Sequence, residues 1–558
     1  MSVIDAVVIG GGPAGSAIGR LLAAWGHSVR ILNKPVDRSR GLGESLPPST
    51  KKLLDAIDAL DLVDRAGFYR TTGNTVWWAS RERRVEKFDP SGEISGYQVF
   101  RPDFDRVLLE HAASAGADVR EAIVRRVELR EAGPKASATE ADSGSASAVA
   151  QRGKSAEQDL TIPTTPGAQP FRVAVEDLQG AVVEYEQDGR RETTACRFVV
   201  DASGRAGVVA KSYRRHEPNH RMYALVGVWD CANASCRAEA SSERACDASH
   251  TVVETYEDGW AWSVPISETI RHVGTMVDGT SPRVAGGRAL ADAYRGEIDK
   301  TIQIARMLDE ATLQHAFACD ASLYSSDTYA GSRFLLVGDA GSFIDPLSSF
   351  GVKKALASAW VAAVVVHTCL THPDREPLAL DFFTQWERDV YATHLRRSRD
   401  FARAAYAQHP HPFWARRAET EVGAPSETDE AALMRDGEVQ AAFETLKQSD
   451  DVEFVRAEGV NFVAQPVIRG REIVLEDAIP LTVPVAQPSR PGGVRFLNNV
   501  DLVALAELTR RPQTVPTLFD AYRRAHAPVP LPNILGALSF LIAKGILTSR
   551  RRSARPRV

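Results

Sequence analysis

Residues 3–9 form a largely apolar run that reads as a buried parallel strand. Gly10-Gly11-Gly12-Pro13-Ala14-Gly15 follows at once, residues 16–25 read as a helix, and residues 27–32 read as a second strand. Strand, glycine turn, helix and strand make a βαβ unit, which commits the start of the chain to a parallel, Rossmann-type sheet. Gly10, Gly12 and Gly15 stand at the spacing that lets a backbone approach a dinucleotide pyrophosphate, with the helix N-terminus favouring its negative charge. The second strand of such a unit usually ends in an acid for the ribose hydroxyls. Here that place holds Asn33, then Lys34. Asn33 still offers a hydrogen bond to a hydroxyl, a weaker one than a carboxylate gives.

A second motif lies far along the chain. Leu335-Leu336-Val337 runs into Gly338-Asp339-Ala340, followed by Phe343-Ile344-Asp345-Pro346-Leu347-Ser348-Ser349-Phe350-Gly351. Asp339 is placed to accept hydrogen bonds from ribityl hydroxyls. A helix opening after Pro346 would aim its N-terminal dipole at a flavin pyrimidine edge and favour the reduced, anionic ring. Two such motifs in this order argue for FAD rather than NAD. Residues 351–370 read as a strongly apolar helix, followed by a polar one to about residue 407.

A third signal is Gly259-Trp260-Ala261-Trp262-Ser263-Val264-Pro265. It is similar to the Trp-x-Trp-x-Ile-Pro signature of the FAD-dependent halogenases, and the Phe-x-x-Pro-x-x-Ser-x-Gly spacing that contains Pro346, Ser349 and Gly351 is theirs too. Over about residues 1–405 the chain resembles these halogenases and the halogenase-like flavin monooxygenases. The resemblance implies a para-hydroxybenzoate-hydroxylase-type fold, FAD as cofactor, and oxygen chemistry on an aromatic substrate. It implies that Trp260 and Trp262 wall off the flavin from the substrate chamber and limit loss of peroxide. It places Glu44, in Gly43-Glu44-Ser45-Leu46-Pro47-Pro48, at a loop near the isoalloxazine, and Arg101, in Val99-Phe100-Arg101-Pro102-Asp103-Phe104-Asp105, along the cofactor. Asp345 stands where tryptophan halogenases keep a glutamate near the substrate. It is a candidate base, or else a cap for the helix after Pro346. Trp77 and Trp78 either line the aromatic chamber or belong to the core.

The resemblance breaks at one place. Phenol and pyrrole halogenases carry their lysine in Gly-Phe-x-x-Lys-x-Gly, and this chain reads Gly67-Phe68-Tyr69-Arg70-Thr71-Thr72-Gly73. Thr71, at the substrate-facing lysine position, offers no amine, and the neighbouring Arg70 is no nucleophile. Lys353 and Lys354 are substitutes, or else surface or phosphate-facing. Without the lysine the simpler chemistry is hydroxylation through a C4a-hydroperoxyflavin, with a base removing the ring proton. The nearest branch on this view hydroxylates a protein tryptophan in tryptophylquinone biogenesis. A halogenase with a displaced lysine, and a non-catalytic flavoprotein that binds peptides, stay open.

At 558 residues the chain exceeds one ordinary core. The expected class is α/β: a Rossmann-type FAD-binding domain interleaved with an antiparallel-sheet substrate domain over residues 1–410, then a C-terminal winged-helix domain. Residues 223–276 alternate polar and apolar, as a half-buried sheet does. Residues 133–169, rich in Ala, Ser, Thr, Gly and Pro, read as a disordered insertion hanging from a hairpin between residues 122–129 and 171–175. Residues 411–450 read as an acidic linker. Residues 451–558, with a helix at 532–545 closed by Gly545, resemble the PqqD-like winged helix that binds precursor peptides. That makes a peptide- or protein-borne aromatic group the expected substrate, beside molecular oxygen. No second dinucleotide fingerprint is visible, so a separate flavin reductase or a transiently docked NAD(P)H is the expected electron source.

The net charge of −5 gives no footprint for nucleic acid, and the basic run at 550–557 reads as a solvated end. None of the six cysteines is spaced Cys-x-x-Cys, no histidine ligand pattern accompanies Cys231, Cys236 and Cys246, and no metal site is expected. The cysteine usage suits a reducing cytoplasm. No signal peptide is read at the N-terminus, and the apolar run at 361–370 is too short to span a bilayer, so no membrane partner is expected.

Overall fold

The computed structural model describes residues 3–130, 180–232, 248–279, 288–423, 430–447, 452–481 and 493–551. The N-terminal run forms the strand Ile4–Ile9, with Ala6, Val7 and Val8 fully buried. It pairs in parallel with Val29–Asn33 on one side and Arg190–Asp201 on the other. The sheet runs Ala330–Gly331, Phe334–Leu336, Arg190–Asp201, Ile4–Ile9, Val29–Asn33, Asp118–Glu121. The expected hairpin is present with a different partner. Ile123–Arg130 pairs antiparallel with Gly180–Gln187, and the expected strand at 171–175 lies outside the described residues, as does the insertion at 133–169.

The helices Pro13–Ala24 and Gly351–Thr371 pack on each other. The second is longer than the apolar run at 361–370, and by length and composition it could cross a membrane. Here its surface meets protein instead: Ala362 through Val366 are fully buried.

The substrate-side sheet has seven strands, in the order Thr312–Asp320, Met222–Asp230, Ile270–Asp278, Gly259–Pro265, Thr251–Tyr256, Gly73–Trp77, Arg84–Lys87. It is antiparallel as expected, except that Thr251–Tyr256 and Gly73–Trp77 run parallel. A smaller sheet joins Gly43–Leu46, Gly96–Phe100 and Tyr69–Thr71 and brings Glu44 to the strand that precedes Arg101.

The chain divides into two units, Met1–Val422 and Gly423–Val558. The expected acidic linker at 411–450 is therefore corrected. Pro412–Ala418 is a helix of the first unit that buries Phe413 and Trp414. Gly437–Lys447 is a helix of the second unit that buries Val439 and Leu446 in its core. Those two residues are seven apart, which is two helical turns, so a sparse apolar stripe holds a segment whose composition looks merely acidic.

In the second unit, Val452–Arg456 is flanked by Gln513–Thr514 and Leu547–Arg551 in an antiparallel sheet. The helices Leu502–Leu508, Val515–Ala525 and Leu531–Ala543 bury Leu505, Leu518, Leu538 and Leu541. Asp501 caps the first of these by accepting from Ala504 N–H at 2.9 Å. Gly545, at φ +69°, closes the last.

Candidate active site

A cavity of about 1020 Å³ opens at the carboxyl ends of the parallel strands. Its walls include Gly10, Asn33, Ala202 and Asp339, each just past or at the end of such a strand. This is where open α/β sheets bind ligands. The opposite wall comes from the seven-stranded sheet, through Ala224, Thr251, Trp260 and Trp262.

The glycines explain the approach. Gly10 has φ +103°, and a Cβ there would meet the Ala202 carbonyl oxygen at 2.5 Å. A Cβ on Gly15 would lie 1.8 Å from the Gly10 oxygen. Gly15 does not line the cavity: it lets the helix close onto its own turn. Gly12 caps the helix Pro13–Ala24 without a side-chain acceptor, so the first-turn N–H groups are left for an anion. Asn33 Oδ1 accepts from Gly11 N–H at 3.0 Å, which ties the end of the second strand to the turn and leaves the amide NH₂ as the group facing a sugar. A cradle that a Cβ would fill, beside uncapped helix N–H groups, fits a dinucleotide.

Arg101 is held by two carboxylates. Its Nη1 donates to Glu44 Oε1 at 2.6 Å, and its Nε and Nη2 donate to the two Asp105 oxygens at 2.9 and 3.1 Å. Burial disfavours the guanidinium charge, but Asp105 and Glu44 more than offset it and hold Arg101 firmly cationic. Asp105 was not singled out from the sequence. Its spacing of four from Arg101 on the helix Arg101–Ser114 was the available signal.

Gly338 sits at φ +64° and turns the chain so that Asp339 faces the cavity. Burial pushes the Asp339 carboxyl up, opposed by Lys354, Arg205 and Arg101. Tyr324 OH donates to the Asp339 carbonyl oxygen at 2.6 Å and fixes the turn. The helix expected to open after Pro346 is broken in two. Pro346–Ser348 is one 3₁₀ turn, Ser349 takes the left-handed conformation at φ 50°, and the α-helix begins at Gly351 with no side-chain cap. Pro346, Ser349 and Gly351 all line the cavity.

Trp260 and Trp262 are two residues apart on one strand, so their indoles share a face. Their ring centroids are 5.3 Å apart, and both line the cavity. Trp262 lies across from Gly274, where a Cβ would stand 2.1 Å from the indole. Behind Trp260 is a void of about 10 Å³, lined by Trp78, Asp345, Ser398, Phe401, Trp414 and Arg417 among others. It has room for about one water. Trp78 meets Trp260, Phe401 and Trp414 edge-on at 6.3, 5.8 and 5.6 Å, and its Nε1–H donates to the Phe401 carbonyl at 3.1 Å.

Asp345 faces this void and not the large cavity. Its Oδ1 accepts from Leu347 N–H at 3.0 Å, so it does cap the 3₁₀ turn. Burial pushes its carboxyl up, against hydrogen bonds from Leu347 and Ser398 and the charge of Arg417.

Two expected substrate residues are elsewhere. Thr71 is fully buried, donates to the Gly73 carbonyl at 3.0 Å and lines neither space. Trp77 packs with Leu225, Trp229 and Val252 in the core. Lys354 is buried beneath the Gly338-Asp339 turn rather than at the surface. Trp414 and Arg417 were missed because their segment was read as linker.

Residues 167–468 match the tryptophan halogenase family, and residues 3–152 match an FAD-binding domain family. The chain belongs to the tryptophan halogenase family. It is an FAD-dependent oxidoreductase of that family. It is 28% identical to flavin-dependent halogenase armH1 of Armillaria mellea, over 71% of this chain and 70% of that protein. It is 27% identical to tryptophan 2-halogenase of Chondromyces crocatus, over 68% and 63%. Among solved structures, the flavin-dependent halogenase CmlS superposes with a TM-score of 0.70 at 20% identity, covering 99% of this chain and 96% of that one. The peptidyl tryptophan dihydroxylase QhpG superposes with a TM-score of 0.62 at 20% identity, covering 98% and 100%.

Proposed function

We propose that this halogenase-family flavoprotein hydroxylates an aromatic ring of the tryptophan class carried on a peptide. The observation that carries the reading is that, among the described residues, no lysine lines the void that Asp345 shares with Trp260. Lys34 and Lys211 are the lysines among the described residues of the large cavity. One follows Asn33, the other lies in the turns after Asp201, and neither lines the void beside Asp345. FAD, when bound, supplies oxygen activation at the cavity. The chain's residues do the rest. Trp260 and Trp262 separate that oxygen from bulk water. Leu347 N–H fixes the Asp345 carboxylate, whose raised proton affinity suits it to take the ring proton.

The helices Leu502–Leu508, Val515–Ala525 and Leu531–Ala543 and the sheet around Val452–Arg456 support a winged-helix reading of the second unit, with the substrate peptide added as a strand at a sheet edge. Reduced flavin is then supplied by a separate reductase.

Halogenation is the second reading. The family match and the halogenases among the relatives favour it. Incubation with reduced FAD, dioxygen, chloride and a tryptophan-containing peptide separates the two by product mass. Oxygen incorporation is expected, and a chlorinated peptide would overturn hydroxylation.

A further inference from the structure

Lys354 is a lysine in an adverse place. It is 3% exposed, and it lies in the first turn of the helix Gly351–Thr371, where the helix dipole already presents positive charge. Burying an ammonium and setting it against a dipole both oppose folding. Its Nζ donates to the Gly338 carbonyl at 2.9 Å and the Ser342 carbonyl at 2.6 Å. One helical turn on, Ser358 Oγ accepts from Gly338 N–H at 3.0 Å and donates to the fully buried Glu387. Lys354 and Ser358 are four apart and so share a helix face. Together they hold the N–H and the carbonyl of Gly338, one group from each peptide unit that flanks it, and Gly338 is the residue whose left-handed turn presents Asp339. The helix whose N-terminus lines the cavity is thereby tied to the turn that offers the ribityl acceptor.

We propose that Lys354 is a positioning residue that also sets the reduction potential of the bound flavin. Its charge adds to the helix N-terminus beneath the cavity and favours the reduced, anionic ring over the neutral oxidised one. Asp339 and Glu387 act on the same charge, and the carbonyl oxygens of Gly338 and Ser342 fix where the ammonium sits.

The test separates charge from clamp. Lys354→Met removes both, while Lys354→Gln keeps a donor for the carbonyls and removes the charge. Potentials are measured by dye-equilibrated reduction of the FAD-loaded full chain, with FAD affinity and melting temperature measured alongside. Both variants are expected to bind reduced FAD about tenfold less tightly relative to oxidised FAD than the wild type does. For a two-electron couple that is a potential lower by about 30 mV. Lys354→Gln is expected to keep most of its FAD affinity, and Lys354→Met to lose more of it. A wild-type potential in FAD-loaded Lys354→Gln would overturn the proposal. So would loss of folding or of all FAD binding in that variant, which would make Lys354 a requirement of the fold and not a tuner of the flavin.

Discussion

Gly274→Ala tests how the tryptophan wall is held. Gly274 pairs with Trp262 across the sheet, and an added Cβ would stand 2.1 Å from both Cη2 and Cζ2 of the indole. Carbon atoms in contact sit about 3.5–4.0 Å apart, so the ring would have to withdraw by about 1.5 Å. Toward Trp260 it has little room, with that ring centroid at 5.3 Å and Trp260 itself 3% exposed, so the open side is the large cavity. Overpacking of this kind destabilises by about 1–3 kcal/mol. The withdrawal shifts Trp262 into the large cavity, so FAD affinity should fall together with stability. Thermal unfolding with and without FAD reads both effects, and the quenching of tryptophan emission by FAD reports on the indole nearest the flavin. If Gly274→Ala melts like the wild type and binds FAD as tightly, then Trp262 is not fixed by this contact and the argument for a rigid wall fails.

Arg101→Met leaves Glu44 and Asp105 as adjacent carboxylates with no cation between them. Because Arg101 keeps about a quarter of its side chain exposed, the expected loss lies near the lower end for a broken buried pair, about 3 kcal/mol, with weakened FAD binding in the same titration. Asp345→Asn keeps an oxygen for Leu347 N–H, so FAD binding should persist while product formation drops about 10²–10⁴-fold; unchanged turnover would remove Asp345 as the base. His220 is 1% exposed, and burial, aided by the charge of Arg417, holds its imidazole down at about 3. The unfolded chain takes up that proton below pH 6.5 and the native state does not. Stability from this group is therefore complete above pH 6.5 and falls toward pH 3 by up to about 1.4 kcal/mol per pH unit. Urea unfolding of His220→Gln should show a flatter acid limb than the wild type.

The parts of the site visible in the sequence are those where the backbone itself is constrained. Gly10 and Gly15 advertise a turn that only glycine fits, and Gly338-Asp339 advertises a second glycine turn. The Trp260–Trp262 spacing shows a shared strand face without any knowledge of the partner sheet. What stayed hidden depends on contacts distant in sequence. Trp77 and Trp78 look equivalent as neighbours, yet adjacent residues leave a strand in opposite directions: Trp77 joins the core behind the sheet, and Trp78 meets Trp260 and Trp414. Thr71 matched a motif position, but its short strand turns the hydroxyl onto Gly73 and away from the cavity. A lysine in a sequence reads as surface, so Lys354 could be placed only once the Gly338 and Ser342 carbonyls were seen above it. Trp414 was hidden because its short helix was read together with the acidic stretch that follows it.

A crystal structure of the FAD-loaded protein tests the central claim most directly. The pyrophosphate is expected at Gly10–Gly12 and the pyrimidine edge at the N–H groups that open the helix at Gly351, with Trp262 facing the ring. A flavin ring bound outside that wall, or a cavity still holding only solvent at saturating FAD, would contradict the account.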